Sequence, residues 1–65
     1  MDSLVHEYEI WKREDAIEHA TEHGLYAKMF GDKEEYEYFC DRIVILSEQI
    51  AFYKECKKLA ELIGA

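Results

Sequence analysis

Sixty-five residues leave room for one domain, and a chain this short buries only about 60% of the surface its unfolded form exposes. Fifteen acidic residues against eight basic ones give a net charge of −7, which disfavours broad electrostatic contact with nucleic acid or anionic lipid and favours a basic partner where there is a charged one. At 49% hydrophobic, with five Tyr, three Phe and one Trp, the chain is too apolar for a disordered acidic tail.

The opening residues, MDSLVHEYEI, are acidic and lack the apolar run of a signal peptide, so a soluble, cytoplasmic protein is expected, in its own cell or a host's. Asp2 or Ser3 is placed to cap a first helix whose opening turn carries Glu7 and Glu9. That helix is predicted over about residues 3–30. Gly24 falls inside it, and His23-Gly24 alone would read as a helix end. The pattern across the two helices argues for continuity instead. Gly31-Asp32 is the stronger break: glycine suits the left-handed position after a helix end, and Asp32 followed by Glu35 resembles a capping box.

The second helix is predicted over about 33–63, ending at Gly64, with Lys54, Lys57 and Lys58 placed to complement its dipole. Within it Tyr36, Phe39, Ile43, Leu46, Ile50 and Tyr53 recur at alternating steps of three and four, the seam of a helix packed on a neighbour. In a hairpin closed at 31 and 32, they face Ala27, Gly24, Ala20, Ile17, Arg13 and Ile10 in turn. Small residues then meet large ones: Gly24 opposite Phe39, Ala27 opposite Tyr36, Ala20 opposite Ile43. Arg13 is the exception, expected at an edge with its stem packed and its head in water. The fold class expected is all-α, a single antiparallel hairpin of two long helices. The longest apolar run, Ile43 to Leu46, is too short to cross a membrane.

A hairpin leaves apolar surface unused. Tyr38, Ile45, Phe52, Cys56, Leu59 and Ile63 form a second stripe, turned by roughly 100 to 120° from the first at 100° per residue. Leu4, Tyr8 and Trp11 do the same near the start of the first helix, as do Tyr26, Met29 and Phe30 near its end. These nine residues (Leu4, Tyr8, Trp11 and the second stripe) predict a homodimer interface, closing two hairpins into a four-helix bundle. In an antiparallel dimer the acidic turn region of one copy would approach the lysines of the other.

Chemistry is sparse. The segment EHATEH puts His19 and His23 four residues apart beside Glu18 and Glu22, a spacing that suits a divalent ion, but without His-Glu-x-x-His order or any Glu-x-x-His it predicts rim histidines and no metal site. Cys40 and Cys56 lie sixteen positions apart on one helix, about 24 Å, which excludes a bridge within the chain. Cys56 is expected to pack on the second stripe as a small apolar residue. Phosphate loops, nucleophile elbows and dinucleotide fingerprints are absent, and a hairpin has no deep cleft, so no enzyme activity, catalytic residue or cofactor is expected. Glu34, Glu35, Glu37 and Asp41 form an acidic cluster expected to meet a partner, a ridge that imitates a nucleic-acid backbone to a basic protein.

The stretch GDKEEYEYF, with Gly24 seven residues before it, resembles one tetratricopeptide unit over about half the chain. Tyr36 stands where that repeat has alanine, and no second copy is present where about three are needed, so the segment reads as a plain helix-turn-helix. The functional expectation is a small acidic interaction module, a homodimeric regulator or inhibitor of the kind found in phages, plasmids and bacteria, as a short frame starting at Met1 suggests. Two alternatives stand beside it. One is a bundle that binds RNA or DNA through Lys12, Arg13 and Lys28 or the Lys54–Lys58 group, as hairpin dimers that regulate plasmid copy number do. The other is a subunit of a larger hetero-oligomer.

Overall fold

The computed structural model describes residues 2–64; Met1, Ala65 and the side chains of Asp2 and Ser3, with the cap expected there, lie outside the described residues. Two helices account for nearly all of it: α1 spans Asp2–Met29 and α2 spans Lys33–Leu62. They pack antiparallel as a hairpin of 50 × 14 × 9 Å. No helix is long and apolar enough to cross a membrane.

α1 runs unbroken through Gly24, and the reason is the neighbour it meets. A Cβ at Gly24 would sit 3.4 Å from the Phe39 Cβ, so the missing side chain lets the two backbones approach. All twelve residues of the predicted seam are buried or half-buried, Leu46, Ile50, Ile10, Ala20, Gly24 and Ala27 fully so. Packing against α2 offsets the about 1 kcal/mol that glycine costs a helix interior.

Three residues, Phe30, Gly31 and Asp32, turn the chain around. The Gly31 N–H donates to Lys28 O at 3.2 Å and the Asp32 N–H to Ala27 O at 2.9 Å, the paired bonds of a Schellman end, with Gly31 at φ 74°. Asp32 then caps α2, its carboxylate accepting from the Glu35 N–H at 3.1 Å. The capping box forms only by this arm, because the Asp32 N–H is already held by α1. At the far end Ile63 N–H donates to Leu59 O and Gly64 takes φ 75°, closing α2 one residue before the predicted limit. The last turn of α2 carries no basic residue, so Lys54, Lys57 and Lys58 sit too far back to serve its dipole, which acts within one turn.

Candidate interaction surface

The open end, where the start of α1 meets the end of α2, is tied by charge. Lys57 Nζ lies 2.9 Å from Glu7 Oε1 across the two helices, and that carboxylate holds the lysine pKa above its ordinary value. One turn inward, Glu9 accepts from Arg13 and lies 3.3 Å from Lys12 Nζ. These hydrogen bonds, Arg13 first, lower the Glu9 pKa. Arg13 Nε also donates to Gln49 Oε1 at 3.0 Å, and its guanidinium lies 4.6 Å from the centre of the Tyr53 ring. Its head is thus held between the helices by an acid, an amide and an aromatic face, where the sequence placed it in water. That network explains how an arginine fills a seam position opposite Ile50.

Beyond the seam the molecule is apolar outside. Six apolar residues are buried, three of them alanine, whereas fifteen large hydrophobic residues are exposed among those described. Trp11 is 61% exposed and Phe52 62% exposed. All the predicted interface residues are exposed except Cys56, which is half-buried. They divide into two groups. Leu4, Tyr8 and Trp11 stand exposed on α1, Trp11 lining a groove with Lys54 and Lys58; the rings of Tyr8 and Trp11 are 6.1 Å apart. Tyr38, Ile45, Phe52 and Leu59 run along α2 at exact intervals of seven.

The four acidic residues near the turn are exposed, but Glu35 is set apart. Its backbone belongs to the Asp32 cap, and hydrogen bonding and repulsion from Asp32 raise its pKa. Glu34 and Asp41 instead begin a row that continues through Glu48 and Glu55, every seventh residue and all exposed. The cluster reading missed the last two, whose only signal is that spacing.

His19 Nδ1 lies 3.0 Å from the Asp15 carbonyl oxygen, one turn earlier on α1. His23 stacks on Phe39 with ring centres 5.5 Å apart. Both line a shallow groove of about 350 Å³ with Tyr38 and Arg42. Among the described residues no group of three His, Cys, Asp or Glu side chains is placed to hold a metal. Both cysteines are free; Cys40 lies beside Tyr36, whose pKa it raises. No family model, curated protein or solved structure matches the chain, so the surface itself carries the functional reading.

Proposed function

We propose that the chain is a small non-enzymatic interaction module: its apolar exterior is covered by other protein, first by a second copy in a four-helix bundle, and its acidic face meets a basic protein. The observation that carries this is the inversion of burial, with fifteen large hydrophobic side chains outside a core of six among the described residues. An exterior of that kind is an interface or an aggregation hazard. Its accessible area points the same way: 5075 Å², against about 4,300 Å² expected for a compact 7.7 kDa monomer. The difference is of the order of the about 800 Å² that each partner buries in a standard interface.

Self-association is best served by the open end. Leu4, Tyr8 and Trp11 are exposed there on α1, clear of the acidic row on α2. The nucleic-acid alternative is weakened at the same place, because Lys57 is paired with Glu7, and Glu14 and Glu61 line the groove that Lys54 and Lys58 share. Light scattering of the reduced protein tests the reading. A mass twice the 7.7 kDa chain, falling to the monomer value on Trp11→Ser with helicity retained, is expected. A monomer at every concentration, with no second protein bound, contradicts it.

A further inference from the structure

We infer that the outer stripe of α2 is a docking track for an amphipathic helix of another protein, one whose apolar stripe is edged by lysine or arginine. Tyr38, Ile45, Phe52 and Leu59 repeat every seven residues and are all exposed, a track about 31 Å long at 1.5 Å per residue. One exposed apolar side chain per heptad makes a narrow stripe along an uncovered helix face, to which the apolar face of a second helix can anchor. The two edges of the track differ. Glu34, Asp41, Glu48 and Glu55 stand about 60° to the side away from α1, one acid for each heptad. Glu35, Arg42, Gln49 and Cys56 stand on the side toward α1, where Lys12 of α1 lines the same groove as Tyr38 and Arg42, so this edge carries no row of one sign.

Edge charges select partner and orientation in such pairings, and here they select against a second copy. Two copies packed antiparallel about a two-fold axis bring like edges together. The apolar positions would match, Tyr38 with Leu59 and Ile45 with Phe52, but Glu48 would then face its own counterpart and Asp41 the counterpart of Glu55. A parallel copy offers the four acids of the row only Arg42 and Lys12, set against its own Glu35. A basic-edged helix satisfies the whole row. This inference rests on the interaction-module reading and divides it, giving the α2 track to a foreign helix and Leu4, Tyr8 and Trp11 of α1 to the second copy.

The test uses the full chain and two fluorescently labelled synthetic helices of about three heptads, with the same leucine stripe and either lysine or glutamate along one edge. Anisotropy should show the lysine-edged helix binding at least about tenfold more tightly than its glutamate twin, a preference that shrinks as salt screens the edge. Asp41→Lys, Glu48→Lys and Glu55→Lys together should reverse the preference, while Ile45→Ser with Phe52→Ser should abolish binding with helicity unchanged. Equal binding of the two helices, no binding of either, or an unchanged preference after the charge reversal would overturn the assignment. Light scattering on the Ile45→Ser, Phe52→Ser variant separates the two levels. A dimer reduced to monomer there would hand the track to the second copy, sinking this inference while leaving the module reading intact.

Discussion

The seam between the helices is built in two ways. Near the turn, Ala20, Gly24 and Ala27 of α1 face Ile43, Phe39 and Tyr36 of α2, and the backbones come close because one side has almost no side chains. Toward the open end the seam carries Ile10 and Ile17 on α1 and Tyr53 and Leu46 on α2, large on both sides, and the helices are joined there by the Glu9–Arg13–Gln49 network and the Glu7–Lys57 bridge. The turn half therefore depends on shape, and the open half on apolar volume together with charge. Mutations should separate the halves by kind of response as well as by size.

The largest effect is expected where the halves join. Leu46 is the largest of the most deeply buried side chains in α2, and Leu46→Ala should cost roughly 2–5 kcal/mol, comparable to the about 3–5 kcal/mol that one core of this size supplies. Circular dichroism should find that variant largely unfolded at low concentration. Gly24 sharpens the shape half. Gly24→Leu should destabilise by about 1–3 kcal/mol through overpacking against Phe39. Gly24→Ala should instead gain up to about 1 kcal/mol, since 3.4 Å to the Phe39 Cβ is ordinary contact and alanine is the better helix former. Equal losses from both, read by urea denaturation, would mean that close approach does not govern this half.

At the turn, Asp32→Ala should cost about 1 kcal/mol by removing the acceptor for the Glu35 N–H. The smallest and most specific response belongs to the open half. Glu9 has a lowered pKa in the fold, so its contribution is present above the ordinary carboxylate value and is lost as pH falls through the lowered one. Lys57, with its pKa raised by Glu7, contributes below the ordinary lysine value and loses that contribution as pH rises through the raised one. Glu35 has the opposite sign to Glu9: its raised pKa favours the fold when it is protonated, partly offsetting the acid-side loss. Glu9→Gln should flatten the acid limb of a stability-against-pH curve. An unchanged limb would show that the Glu9–Arg13 pair is screened away in solution.

Much of the fold was legible because both helices keep one period from end to end. The alternation of Tyr36, Phe39, Ile43, Leu46, Ile50 and Tyr53 identified the seam, and its small-against-large match with Ala20, Gly24 and Ala27 kept α1 whole. Gly31 and Asp32 identified the turn. What escaped was three-dimensional pairing. Arg13 read as an edge residue because its partners, Gln49 and Tyr53, come from the other helix, and the Glu7–Lys57 bridge spans fifty positions. The half-formed capping box escaped because Asp32 serves two helices, and its N–H is committed to α1 before Glu35 can reach it. The acidic residues near the turn read as one cluster by proximity along the chain, although helical geometry separates Glu35 from the row that runs on to Glu55.

The central claim is that the apolar exterior is covered by protein, and the single tryptophan reports on it directly. Trp11 emission should be measured over a dilution series of the reduced chain with helicity followed in parallel. A blue-shifted maximum at high concentration, moving to that of a water-exposed indole on dilution before helicity is lost, is the result expected of an open end buried against a second copy. Water-exposed emission at every concentration, from a chain that stays helical and monomeric, would contradict it.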